Sequence, residues 1–324
     1  MWKALAIRTI PTDPDLQFFV ASYDLGALSS ARGIEAGTVN TSYVLELESG
    51  RFFLRIYEEQ DAVGAAREAG VLAHLARSGV PTPAPLPGRD GRSTRTVAGK
   101  PAALFPWIEG EQLCQRAVTA AAAETVGAAL ARIHVAGHAP DTPLDAGRFS
   151  PSELARRCER IAGSSDPEAR AIGPALAAVV RAIAARRRTD APSGLVHGDL
   201  FRDNVLWEPK AEPCRIAALL DFESAHDGPF AYDLAVTILS WCYGTELDLA
   251  LAAAVVRGYR SVRELTPVDR EVLHDETVFA SVRFAITRIT DDAIRVGKRW
   301  QRFVERREAV ERLGPARFRE ALGL

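Results

Sequence analysis

The sequence predicts an α+β protein in two lobes, a small strand-rich one followed by a larger, mostly helical one. Three observations carry this expectation. Between Tyr43 and Ile56 apolar residues recur with the period of two of a β-strand; beyond Glu109-Gly110 the pattern lengthens to that of alanine-rich helices; and at 194–222 short β-type pieces interrupt those helices. At 324 residues the chain also exceeds one ordinary core.

Taken in order, Asp13-Pro14 reads as an N-cap followed by proline at the first helical position. Leu16, Phe19, Val20 and Tyr23 then hold the i, i+3, i+4, i+7 spacing of an amphipathic helix. Tyr43, Leu45 and Leu47, and after Ser49-Gly50 also Phe52, Leu54 and Ile56, alternate with polar neighbours as the arms of a β-hairpin do. A helix is expected over 61–78 with Gly79 as its C′ residue, then an extended proline-rich loop over 81–88, then a strand over 102–107. The first lobe is therefore 1–105, an antiparallel sheet plus helices; 106–110 is a hinge; and 111–324 is the helical lobe. In that lobe one helix spans about 117–136, and Ser150-Pro151-Ser152-Glu153 has the capping-box form that opens a second. A third ends at Arg186-Arg187-Arg188, read as a solvated helix end. Short strands are expected around His197, Val205-Leu206 and Ile216–Leu220, with helices resuming to the end.

Bulk chemistry removes several function classes. A formal net charge of −2 supplies no basic field for nucleic acid. The longest apolar run, Leu249–Val256, has eight residues and cannot span a bilayer. Met1-Trp2-Lys3-Ala4-Leu5 is followed by Arg8 and Asp13 before a signal-peptide core could form, so a cytoplasmic location is expected. Cys114, Cys158, Cys214 and Cys242 are scattered and read as reduced, buried thiols. The oligomeric state is not legible in the sequence.

The chemistry is concentrated in His197-Gly198-Asp199-Leu200-Phe201-Arg202-Asp203-Asn204 and in Leu219-Leu220-Asp221-Phe222-Glu223. Phosphoryl transfer needs a carboxylate at the attacking hydroxyl and oxygen ligands for the magnesium that bridges the phosphates. Asn204 follows Asp199 by five residues and Asp221 follows Asn204 by seventeen, with a hairpin's worth of β-type sequence between. Either triplet alone would suit an ordinary turn; the two in this order and spacing supply the parts of a phosphotransferase.

These residues, with Gly228-Pro229-Phe230-Ala231-Tyr232-Asp233-Leu234-Ala235, resemble the aminoglycoside phosphotransferase and choline kinase superfamily, whose fold is protein-kinase-like. The resemblance implies an ATP-dependent small-molecule kinase using magnesium, with Asp199 as base and Asn204 and Asp221 as metal ligands. It makes His197 an orienting residue of the catalytic loop, while Asp233, at the head of a helix, reads as a stabiliser of that helix N-terminus. In the first lobe, Gly37-Thr38-Val39-Asn40-Thr41-Ser42 lies between strands where small residues and free N–H groups can cover phosphates, placing Asn40, Thr41 and Ser42 at the nucleotide. The superfamily's phosphate-pairing lysine is matched by Arg55, as in choline kinases, and its helix glutamate by Glu68. Pro106-Trp107-Ile108-Glu109-Gly110 matches the linker whose backbone contacts adenine, although Trp107 reads equally well as plain packing.

The stretch from Leu16 to Tyr57, with Gly79-Val80-Pro81-Thr82-Pro83 and the His197–Asn204 loop, further resembles the homoserine kinases built on this fold. That implies L-homoserine as acceptor and a step of threonine biosynthesis. Phe222-Glu223-Ser224-Ala225-His226-Asp227 departs from that subgroup towards the generic superfamily form. It leaves open another amino-alcohol or amino-sugar kinase. A kinase-like scaffold that binds without turnover is the alternative of another class, and the intact Asp199, Asn204 and Asp221 argue against it. Arg202 and Arg283 are the cations, and Asp203, Glu223 and Asp227 the acids, available to a zwitterionic acceptor.

Overall fold

A computed structural model of the chain describes residues 7–35, 39–137, 144, 146–210, 214–291 and 300–324. The expectations on Met1–Leu5, and on Gly37 and Thr38 of the glycine loop, fall outside the described residues. Among those described, residues up to Glu109 form one compact unit and residues from Gly110 on form another.

The first unit contains helix α1 (Asp13–Val20), strands β1 (Leu28–Gly33), β2 (Thr41–Leu47) and β3 (Gly50–Ile56), helix α2 (Ala62–Arg77), and strands β4 (Arg95–Val97) and β5 (Lys100–Pro106). The strands form one antiparallel sheet in the order β1-β2-β3-β5-β4. The hairpin pairs Tyr43 with Leu54 and Leu45 with Phe52, so the period-two residues share a face. That face, continued by Ala102 and Leu104 of β5, packs against Leu16, Phe19, Val20 and Tyr23. Each large apolar side chain so buried contributes roughly 1.5–3 kcal/mol. The opposite face carries Arg55, flanked by the rings of Phe53 and Phe105 at 5.9 and 5.8 Å.

The α1 N-cap is Thr12 rather than Asp13. The Asp15 N–H donates to the Thr12 hydroxyl and the Thr12 N–H to the Asp15 carboxylate, a reciprocal box. Asp13 has leucine at the corresponding third position, so it cannot close one. Strands β1 and β4 were not legible: four of the six β1 residues are exposed, so that strand carries no alternation, and β4 has three residues. Helix α2 is capped by Asp61 and stopped before Gly79 (φ +79°), as the sequence implied.

The second unit contains helices α3 (Ala120–Ala136), α4 (Pro151–Ala162) and α5 (Pro167–Arg186), strands β6 (Ser193–Val196), β7 (Val205–Trp207), β8 (Ile216–Leu219) and β9 (His226–Pro229), and helices α6 (Phe230–Trp241), α7 (Leu249–Arg260), α8 (Pro267–Thr290) and α9 (Gln301–Ala321). Two antiparallel ribbons, β6–β9 and β7–β8, form the inserted β element. Helices α3 and α7 meet backbone to backbone. A Cβ on Gly127 would lie 2.0 Å from the Val255 carbonyl oxygen, and one on Gly258 would lie 1.9 Å from that of Glu124.

The arginine run is not a free helix end. Arg187 forms a two-pronged pair with Glu276 at 2.8 and 2.6 Å, Arg186 pairs with Asp275 and Arg188 with Glu271, all acids of α8. Ser150 caps α4 by accepting the Glu153 N–H, but Glu153 turns to Arg156 instead of completing a box. All four cysteines are free; Cys158 and Cys242 are buried, whereas Cys114 is exposed and Cys214 half-buried. Among the described residues no helix is long and apolar enough to cross a membrane.

Candidate active site

The loop after β6 is held by bonds within itself. Gly198 has φ +75°, and a Cβ there would lie 2.8 Å from the Ser224 carbonyl oxygen, so glycine is required. The Asn204 amide donates to the Asp199 carbonyl oxygen at 2.8 Å, which fixes the five-residue loop end to end and leaves the amide oxygen of Asn204 as an acceptor. Leu220 N–H donates to the Asn204 carbonyl oxygen at 2.8 Å, joining this loop to the segment carrying Asp221. His197 bridges the same two segments: its Nε2–H donates to the Leu220 carbonyl oxygen at 3.0 Å, and its Nδ1 accepts the Asp199 N–H at 3.3 Å. Its ring lies 4.5 Å from that of Phe222. Asp199, Asn204 and Asp221 thus come from two segments tied together by main-chain and histidine bonds.

Asp221 has left-handed backbone (φ 61°, ψ 68°) and leads into a turn over Phe222–Ser224. A non-glycine residue held there costs about 1–3 kcal/mol, a strain typical of ligand-binding positions. The oxygen set of Asn204 and Asp221 is hard and suits a small divalent cation, which commonly takes one or two protein oxygens and completes its shell with phosphates and water. Among the described residues no group of three His, Cys, Asp or Glu side chains is placed to hold a metal ion.

Asp233 does more than stabilise a helix N-terminus. It is fully buried, and its carboxylate accepts the N–H groups of His197 at 2.7 Å and Gly198 at 2.8 Å and a proton donor from His134 Nε2 at 3.0 Å. Burial opposes its ionisation, but the His134 bond and the Gly198 N–H prevail and hold it below the usual carboxylate range. His134 is pushed below its ordinary range chiefly by burial, so it is neutral, and its Nδ1 accepts from the Tyr259 hydroxyl at 2.7 Å. Arg263 in turn bonds that hydroxyl and Asp269, each at 3.1 Å. A buried polar chain therefore runs from α8 to the main chain of the Asp199 loop.

Asp199 is partly exposed, and its Oδ1 accepts Arg283 Nη1 at 3.0 Å. Of the two cations available to an acceptor, Arg202 is engaged elsewhere, donating to the Gln115 side chain and the Ser240 carbonyl. Among the acids, Glu223 pairs with Arg148 at 3.5 Å, while Asp203 and Asp227 are exposed. His134 was not singled out in the sequence, Asp233 was read there only as a helix stabiliser, and Arg283 only as an available cation. Their shared signal was available: each is a polar residue in an otherwise apolar helical run, where a satisfied partner is demanded.

In the first unit, Arg55 Nη1 bonds Glu68 at 2.7 Å across β3 and α2, with Gln60 also donating to Glu68. Thr41 is buried and its hydroxyl is committed: it accepts the Arg8 and Thr9 N–H groups and donates to Glu58 at 2.6 Å. The Asn40 side-chain oxygen accepts the Glu58 N–H at 3.2 Å. Ser42 sits on β2 opposite Arg55. Trp107 donates to Glu109 at 2.9 Å and lies under the Arg51 guanidinium.

Comparison with known proteins identifies the family. The phosphotransferase enzyme family model matches residues 30–265. The chain is 34% identical over 294 residues to a homoserine kinase of Gluconacetobacter diazotrophicus, covering 89% of each protein. It is 33% identical over 296 residues to a homoserine kinase of Caulobacter vibrioides, covering 89% of this chain and 90% of that protein. Among solved structures the fold resembles amicoumacin kinase in complex with AMP-PNP, calcium and Ami (TM-score 0.70, 15% identity, 96% of this chain and 92% of that one). It also resembles a microcompartment-associated aminopropanol kinase (TM-score 0.63, 18% identity, 97% and 99% covered). With the family match spanning most of the sequence, the chain belongs to the phosphotransferase enzyme family and is a small-molecule kinase.

Proposed function

We propose that the chain is an ATP- and magnesium-dependent homoserine kinase, converting L-homoserine to O-phospho-L-homoserine. The observation that carries this reading is the identity of about one third with homoserine kinases, sustained over 89% of the chain and 89–90% of theirs. Asp199 is the base: one carboxylate oxygen is held by Arg283, and the other takes the proton of the acceptor hydroxyl as it attacks. The hydroxyl oxygen forms its bond to the γ-phosphorus, the bond from that phosphorus to the bridging oxygen breaks, and ADP leaves. Asn204 and Asp221 would hold the divalent cation; when bound, it offsets the negative charge on the phosphates. A structure of the same fold holds AMP-PNP and calcium, which supports such a pairing. Arg55, oriented by Glu68, is the phosphate-pairing cation of the first unit. With the Asn40 and Thr41 side chains committed to Glu58, that segment's contribution to nucleotide, with Ser42, comes through main-chain N–H groups.

A second reading, another amino-alcohol kinase, is favoured by Phe222–Asp227 and by the aminopropanol kinase that shares the fold. An ATP-consumption screen over L-homoserine, 3-aminopropan-1-ol, ethanolamine, choline and aminoglycosides decides between them. The highest kcat/KM is expected for L-homoserine. A higher value for any other acceptor would replace homoserine while leaving the kinase assignment in place.

A further inference from the structure

We propose that Arg283 is the residue that reads the acceptor's carboxylate, in addition to holding Asp199. The proposal rests on the homoserine reading and deepens it. Arg283 lies within α8, a helix buried for most of its length, and is itself only 3% exposed. Its guanidinium carbon lies 3.6 Å from the centre of the Phe149 ring and 4.3 Å from that of Phe284. The N–H donors of a guanidinium lie in its plane, so polar partners meet it along the edge. There it makes one ion pair, Nη1 to Asp199 Oδ1 at 3.0 Å, and its Nε is buried with no hydrogen-bond partner.

A desolvated guanidinium with an unanswered donor is costly, because it has lost water and regained only part of its bonding. An incoming carboxylate removes that cost: its two oxygens match the forked donors of an arginine, and charge-assisted bonds of this kind are the strong ones. A second arginine lies within electrostatic range of Arg283 and Asp199. Arg288 is held below its ordinary range by burial first and by Arg283 next, with Arg302 also acting on it as a like charge. The acids acting on Arg288 include Asp199 and Asp203. Chain length fits as well. In homoserine three carbons separate the carboxyl carbon from the hydroxyl oxygen, a reach of roughly 4–5 Å by standard bond lengths. A hydroxyl on the unoccupied oxygen of Asp199 thus leaves the carboxylate within reach of the arginine that grips the other oxygen.

The test is the ratio of kcat/KM for L-homoserine to that for 3-aminopropan-1-ol, measured in wild type, Arg283→Gln and Arg283→Lys, each checked for folding by thermal melting. If Arg283 only positioned Asp199, its loss would slow both acceptors by the same factor. If it binds the carboxylate, Arg283→Gln lowers the ratio by roughly 30- to 3,000-fold, the span for removing one partner of a buried charge pair. Arg283→Lys, which keeps the charge without the fork, restores part of the ratio. An unchanged ratio in a folded Arg283→Gln protein overturns the proposal; should that variant not fold, an unchanged ratio in Arg283→Lys does so. Wild type alone shows whether the underlying reading has failed, since a wild-type enzyme that does not prefer L-homoserine removes the homoserine assignment before any variant is compared.

Discussion

At the residue scale the account turns on groups that have one chemical task each. Asp199→Asn keeps the shape and removes the base, so kcat is expected to fall by about 10²–10⁴-fold while nucleotide binding, read by calorimetry, persists. Turnover near wild type in the folded variant would remove Asp199 from the mechanism. Asp221→Ala should weaken binding of magnesium-nucleotide far more than that of metal-free nucleotide; equal losses would make Asp221 structural. His134 gives a pH prediction. Its folded pKa is depressed, chiefly by burial, so the unfolded chain takes up a proton before the folded one does. The stability contributed by the neutral ring is fully present above the unfolded value, about 6.5, and is lost as pH falls below it. The melting temperature of wild type should therefore drop more steeply from pH 7 to pH 5 than that of His134→Gln, whose amide can still donate to Asp233 but cannot be protonated. Parallel slopes would contradict a neutral buried His134.

At the scale of elements, how much could be read depended on whether the cause of an element was local. The hairpin of β2 and β3, the caps of α2 and the long helices are written in period and punctuation, and all stand in the structure. Strand β1 is an edge strand of mostly exposed residues, with no alternation to betray it; β9 is four residues, His226-Asp227-Gly228-Pro229, and owes its existence to β6, thirty or more residues earlier in the sequence. The same holds for Arg187, which looked like a solvated end because Glu276 lies 89 residues away. In the site, the loop from His197 to Asn204 was legible because its residues bond one another, whereas Asp233 was read only in part because its partners, His197 and Gly198, are 36 and 35 residues distant. Close helix contact was equally invisible. The crossing of α3 and α7 leaves no room at Gly258, where an added Cβ would fall 1.9 Å from a carbonyl oxygen. Gly258→Ala must push the helices apart and should destabilise by about 1–3 kcal/mol in chemical denaturation, despite alanine's better helix propensity. A stabilised Gly258→Ala protein would contradict the crossing.

At the scale of the molecule, the buried chain Arg263–Tyr259–His134–Asp233 connects the packing of the helical unit to the main chain of the Asp199 loop. Stability and turnover should therefore be coupled. Asp233→Ala leaves three buried donors without an acceptor, and by analogy with a broken buried pair it should cost about 3–5 kcal/mol of stability and reduce kcat together. Loss of stability with full activity at permissive temperature would uncouple them. The central claim, transfer of the γ-phosphoryl group of ATP to the side-chain hydroxyl of L-homoserine, is tested most directly by following one reaction by ³¹P NMR: purified protein, ATP, magnesium and L-homoserine. The account predicts equal build-up of ADP and a phosphomonoester identical to authentic O-phospho-L-homoserine, and no phosphomonoester with Asp199→Asn. Consumption of ATP to ADP and inorganic phosphate alone, or no reaction with L-homoserine, would contradict it.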